Sequence, residues 1–300
     1  MTTRRVIAMS GGITSAKVAW DVVREHGAEN TVLLFSDVNQ EDDDLHRFNR
    51  EVSELLGVPI TRVADAQERD PWQVFFDKRW LGNSRRTPCA YYGKQLPAHL
   101  WLEDNCDPLN TVIYVGIGWD EAGRLGTVIR GYSHQLGVCD SPAICRLFGK
   151  EGRMPGPGCR TLREIPWRVE LPLMKPPFHD KRQLIDEFRA LGIQEPQMYR
   201  EGYQHNNCGG LCVKAGQAQW ALTLEIHPDR FAHAEAQENK FRREINAEAT
   251  ILRDWSDGGR PLPLTEFRGR IEAKKAAQPS LLDLVDDNDW GGCGCFTDAA

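Results

Sequence analysis

Ten residues near the start of the chain, VIAMSGGITS at positions 6–15, constrain the fold more than any other stretch. An apolar run ends in Ser10, Gly11, Gly12, Ile13, Thr14 and Ser15 and then enters Ala16, Lys17, Val18, Ala19 and Trp20. The order is strand, glycine turn, helix N-terminus. Two adjacent glycines let successive backbone N–H groups curl toward one point. The helix dipole and its unpaired N–H groups favour an anion there, and Ser10, Thr14 and Ser15 add hydroxyl donors. The expected anion is a phosphate. Neither G-x-x-x-x-G-K-[ST] nor G-x-G-x-x-G follows the strand, so this is not one of the two commonest phosphate loops.

Strand and helix patterns then alternate. Residues 16–26 read as a helix stopped by Gly27, and residues 31–37 (TVLLFSD) as a buried strand. Leu45, Phe48, Val52, Leu55 and Leu56 share a helical face closed by Gly57, and 59–64 is a short strand. Helical patterns near 71–80 and 94–104 lead to the strand at 111–118, an extended stretch at 165–174 and a helix over 179–191. This order predicts an α/β three-layer sandwich, a mostly parallel sheet covered on both faces. Ligands of such sheets sit at the carboxyl ends of the strands, where the glycine loop, Asp37 and Gly116 fall. Asp37 is a candidate for ribose or magnesium. Glu41, Asp42 and Asp44 read as a solvated loop, and Trp119 and Trp167 as core.

The chain has 300 residues and a formal charge of −6, which gives no global attraction to nucleic acid. No run of about 18 apolar residues is present, so no membrane span or membrane partner is expected. The first residues reach the glycine turn too soon for a signal peptide, which points to a cytoplasmic protein. Nine cysteines in that compartment suggest metal binding or thiol chemistry rather than structural disulfides. Residues 1–215 are expected to form a nucleotide-binding domain, with Cys139, Cys145 and Cys159 in a lid near 139–160. Residues 216–300 read as a helical extension, interrupted by a linker at 257–261 and ending in a glycine-flanked tail with Cys293 and Cys295.

A second constellation, PQMYREGYQHNNCGGLC, occupies 196–212. It resembles the P-x-x-[LM]-Y-x-x-G-Y-x-x-x-[GN]-C-x-x-C segment of adenylylsulfate (APS) and phosphoadenylylsulfate (PAPS) reductases. Residues 10–15 resemble the S-G-G-x-[DT]-S pyrophosphate (PP) loop of the wider adenine-nucleotide alpha-hydrolase superfamily. Arg86, Thr87, Pro88 and Cys89, followed by Lys94, resemble that family's R-x-C-C-x-x-x-K region. Residues 115–121 (VGIGWDE) resemble its G-I-R-x-x-E-S stretch. The four segments occur in the family's order, cover about residues 5–215, and are similar to the phage and mobile-element branch. The chain departs from the pattern in four places. Thr14 stands where most members carry Asp, Cys89 lacks an adjacent cysteine, Cys208 and Cys212 are spaced C-x-x-x-C, and the tail lacks the Glu-Cys-Gly-[IL]-His box.

The resemblance implies an enzyme that holds an adenosine nucleotide (PAPS, APS, or ATP with magnesium) on Ser10, Gly11, Gly12, Thr14 and Ser15. Asp37 and Gly116 would lie nearby, and Lys94 would meet phosphate as a point charge. Arg124, Arg130 and Arg160 are candidates for a sulfate or second phosphate, and His205 for the site lining. Cys89, Cys208 and Cys212 are candidate ligands of a 4Fe-4S cluster or of zinc, with buried apolar thiols as the competing reading. One of Cys293 and Cys295 would attack the sulfur of a sulfonucleotide, with a thioredoxin-type reductant as partner. Alternatively both would complete the ligand set of Cys208 and Cys212. The other functional reading is an ATP pyrophosphatase that adenylates a nucleic acid or nucleobase for iron–sulfur-dependent sulfur insertion.

Overall fold

Uninterrupted apolar runs form strands buried on both faces. The computed structural model describes residues 2–82, 87–136 and 160–277. Strand β1 (Arg4–Met9) leads through helix α1 (Ile13–His26) to β2 (Thr31–Asp37), and α2 (Asp43–Leu56) leads to β3 (Ile60–Ala64). Helix α3 (Pro71–Lys78) follows, and α4 (Leu96–Asn105) precedes β4 (Thr111–Val115). Helix α5 (Leu125–Tyr132) is followed by an antiparallel pair, β5 (His134–Leu136) with β6 (Arg160–Leu162), and then by β7 (Arg168–Glu170). The main sheet is five-stranded, in the order β3-β2-β1-β4-β7, and every neighbouring pair in it is parallel. The fold is therefore α/β, as the alternation predicts.

The alternating side chains of the strands face two separate cores. Ile7, Met9, Leu33 and Phe35 pack with α1, α2 and α6 (Lys181–Ala190) through Ala16, Val22, Phe48, Val52, Leu184 and Phe188. Val6, Leu34, Ile113 and Val115 pack on the opposite face with Leu102 of α4 and Val128 and Tyr132 of α5. Helices thus cover both faces. Trp167 is buried as expected, whereas Trp119 is 47 % exposed; its indole N–H donates to the His179 carbonyl at 3.1 Å and its ring lies against Phe178.

Short α7 (Gln197–Arg200) leads into the C-terminal extension, built from α8 (Gln217–Ile226), α9 (Pro228–Glu244) and α10 (Leu264–Ala277). Trp220, Phe231, Phe241, Phe267 and Ile271 form its core together with Trp72 and Phe75 of α3 and Leu211. The extension therefore shares a core with the first part of the chain. Residues 257–261, expected as a linker, instead close a hairpin of β8 (Leu252–Asp254) and β9 (Arg260–Leu262), turning on Gly258 and Gly259 at φ 61° and 77°. Such positive φ values suit glycine. Among the described residues no helix is long and apolar enough to cross a membrane.

Candidate anion site at the strand ends

From β1 the chain crosses to β2 and β3 on one side, while β4 and β7 lie on the other. The order reverses between β1 and β4, and such a switch point opens a crevice at the carboxyl ends of the strands. The loops leaving these two strands meet there. A Cβ added to Gly116 would lie 2.7 Å from the Cα and N of Ser15 and 2.9 Å from the carbonyl carbon of Thr14, so only glycine permits the approach. Gly11, at φ 75°, turns the chain where a Cβ would meet Leu45 Cγ at 2.3 Å. Helix α1 begins after Gly12 with no side-chain cap and no acidic residue in its first turn, leaving its positive dipole end to an anion.

Ser15 shapes this loop. Its hydroxyl donates to the Gly12 carbonyl at 2.8 Å and accepts from the Ser10 N–H and hydroxyl, each at 3.2 Å. Ser15 is 1 % exposed, so its hydroxyl staples the turn. Ser15→Ala is expected to cost about 1 kcal/mol, since the Ser10 N–H loses its acceptor in a part-buried turn. Urea unfolding checks this, and an unchanged midpoint would refute the staple.

The segment 196–212 closes over the same loop. Tyr199 Oη accepts from the Ile13 N–H at 3.4 Å, and Asn206 Nδ2 donates to the Gly11 carbonyl at 2.7 Å. The two motifs singled out in the sequence, some 190 residues apart, thus form one site. A cleft of about 90 Å³ lies between them, lined by Ser10, Gly12, Thr14, Ser15, Lys94, Gly116, Glu121, Arg124, Tyr199, His205 and Asn206. An apolar cavity of about 70 Å³, walled by Leu34, Leu102, Ile113 and Tyr132, shares Ala8, Ser10 and Lys94 with it.

Lys94 arrives on a π-turn, Tyr91–Gln95, just ahead of Pro97. A proline nitrogen carries no proton for the helical ladder, which favours the irregular turn. Lys94 Nζ pairs with Glu41 Oε1 at 3.2 Å, and the Glu41 side chain is fully buried. Glu41 also accepts the backbone N–H of Cys208. Asp42 caps α2 at the Asp44 N–H and pairs with Arg230 at 2.6 Å, and Asp44 accepts the Gln197 N–H. The acidic run read as a solvated loop is therefore an internal strut holding 196–212, because each carboxylate finds a cation or an N–H.

Asp37 is also turned elsewhere. It is 6 % exposed at the end of β2, but its carboxylate accepts from Arg62 at 2.9 Å and from the Asn39 N–H at 2.8 Å. It faces a separate surface pocket beside α2. Arg124 lines the cleft paired with Glu121, whereas exposed Arg130 does not line it. Burial, reinforced by Lys181, pushes His205 below the ordinary imidazole value, so it is neutral at pH 7.

Cys208 is buried and hydrogen-bonded to Cys212. That bond, then burial and Glu41, push its thiol well above the ordinary value, so it stays protonated. Cys212 and Cys89 are half-buried and pack on the same extension core. Among the described residues no group of three or more His, Cys, Asp or Glu is placed to hold a metal ion. Arg86, Cys139, Cys145, Cys159, Cys293 and Cys295, most of the expected lid and the side chain of Arg160 lie outside the described residues. Sequence reasoning missed Glu41 and gave no role to Glu121 or Tyr199. Tyr199 was within reach, since it sits inside the 196–212 motif, but nothing marks Glu41 in a run of acids. No protein-family model matches this chain, and no curated protein matches it.

Proposed function

We propose that the chain binds an adenosine nucleotide with its phosphates on residues 10–15 and carries out cysteine-dependent sulfur chemistry, as a PAPS reductase-like enzyme. One observation carries the reading. The glycine loop and the 196–212 segment, which carries Cys208 and Cys212, are bonded through Gly11–Asn206 and Ile13–Tyr199, and His205, Asn206 and Asn207 of that segment line the candidate anion cleft. The α1 N-terminus turns its N–H groups to the cleft, Lys94 and Arg124 line it while paired with Glu41 and Glu121, and the adjoining apolar cavity offers surroundings suited to a base.

In this reading a cysteine thiolate attacks the sulfur of the bound phosphosulfate. The new S–S bond forms as the S–O bond breaks, and the nucleotide leaves as AMP or its 3′-phosphate. A thiol of a thioredoxin-type partner then attacks the cysteine sulfur, forming a mixed disulfide and releasing sulfite. Cys208, held protonated, does not suit the first attack. The resemblance gives that role to Cys293 or Cys295. The described residues offer a two-thiol pair, which does not by itself fit a four-thiolate cluster or a structural zinc, so no step is routed through metal.

Glu121 favours a second reading. A carboxylate beside a phosphate loop is the oxygen ligand that a magnesium nucleotide uses, which suits an ATP pyrophosphatase acting on a nucleic acid or nucleobase. Products separate the two. Incubation with APS or PAPS and a dithiol should yield sulfite. Pyrophosphate from ATP and magnesium, without sulfite, would transfer the assignment to the second reading, and neither product would overturn both.

A further inference from the structure

Asn206 is 4 % exposed, and its amide orientation is set by chemistry. Nδ2 donates to the Gly11 carbonyl at 2.7 Å, and a flipped amide would oppose two acceptors there. Oδ1 is therefore the free end. It is buried, has no hydrogen-bond partner among the described residues, and belongs to a side chain lining the cleft at the uncapped N-terminus of α1. A buried acceptor in a ligand cleft calls for a donor on the ligand.

Phosphate and sulfate esters at neutral pH offer acceptors only. The donors of an adenosine 5′-nucleotide are the ribose hydroxyls and the 6-amino group. The amino group lies at the far end of the nucleoside from the 5′-phosphate, whereas the hydroxyls lie at the near end. Asn206 is bonded to the phosphate loop itself, so a hydroxyl is the donor within reach. We propose that Asn206 Oδ1 accepts a hydrogen bond from a ribose hydroxyl of the bound nucleotide and so selects for the sugar. This inference rests on the nucleotide reading above and deepens it. A phosphate ester on that hydroxyl would oppose acceptor to acceptor, so the same contact disfavours a nucleotide phosphorylated there.

The test is calorimetric titration with AMP, 2′-deoxy-AMP and 3′-deoxy-AMP. Wild type should bind one deoxy form about tenfold more weakly than AMP, because Oδ1 is then left unpaired. Asn206→Leu should erase the difference. A purely structural role would weaken all three ligands together. Equal binding of AMP and both deoxy forms by wild type would overturn the inference alone, as would a preference surviving in Asn206→Leu. Failure of AMP to bind would overturn the nucleotide reading and this inference with it. Where the leucine disturbs folding, judged by thermal melting, Asn206→Ala replaces it, and the wild-type panel still decides.

Discussion

Gly116→Ala should lower AMP affinity by roughly 10–150-fold, the loss of a hydrogen bond to a charged phosphate at about 1.5–3 kcal/mol. The added Cβ would lie 2.7 Å from backbone atoms of Ser15, on a helix whose Ile13, Ala16, Val18 and Val22 are locked in the core. A flexible side chain could swing away from such a contact, but a packed helix cannot, so the β4 loop must retreat from the α1 N-terminus. That opens the crevice proposed to hold the anion. Stability should fall by about 1–3 kcal/mol, as is usual for overpacking. Gly131→Ala is the control. Its Cβ meets nothing within 4 Å, and it lies within α5. It should leave AMP binding unchanged and add up to about 1 kcal/mol from helix propensity. Titration of both variants decides, and near-native affinity in Gly116→Ala would remove the strand-end crevice as the nucleotide site.

The sheet and its loop were legible because their signals are local. Apolar runs of strand length, glycine stops after amphipathic helices and the Gly11-Gly12 turn each specify their own backbone, and a βαβ order leaves little topological choice. Ser10, Gly12, Thr14, Ser15, Lys94 and Gly116 accordingly line one cleft. What escaped depends on partners distant in sequence. Asp37 is drawn from the cleft by Arg62, which the strand register sets opposite Phe35 on the neighbouring strand. Glu41 is internal because Lys94 and the Cys208 N–H, 53 and 167 residues away, converge on it. Trp119 is amphipathic, and its exposure follows from a 3-10 turn (Trp119–Arg124) at the rim of the strands. The hairpin at 252–262 was hidden by turn residues that serve equally well in a linker.

Glu238 shows the same limit in the extension and carries the largest stability effect expected. It lies in α9, PDRFAHAEAQENKFRRE, where a glutamate among so many charges reads as solvent-facing. In the structure it is fully buried, and its two carboxylate oxygens accept the backbone N–H of Ile251 at 2.7 Å and of Leu264 at 2.6 Å. One side chain thus ties the entry of β8 and the first turn of α10 to α9. Glu238→Ala strips both N–H groups of their acceptor inside a core, at about 1–3 kcal/mol each, so a loss of about 2–6 kcal/mol is expected in denaturant unfolding. Glu238→Gln keeps the shape but turns an amide NH₂ toward one of the two donors, and should cost roughly half as much on the same reasoning. Burial lifts the carboxyl above its ordinary value, although the two N–H bonds oppose the shift. The folded state therefore takes up a proton more readily than the unfolded chain. Stability should fall as pH rises from the ordinary glutamate value through the raised one, and the Glu238→Gln penalty should shrink over that window. A Glu238→Ala loss below about 1 kcal/mol would mean that water or a neighbouring group replaces the carboxylate, and the apolar core and the other polar ties, Arg230 with Asp42 among them, would then hold the extension.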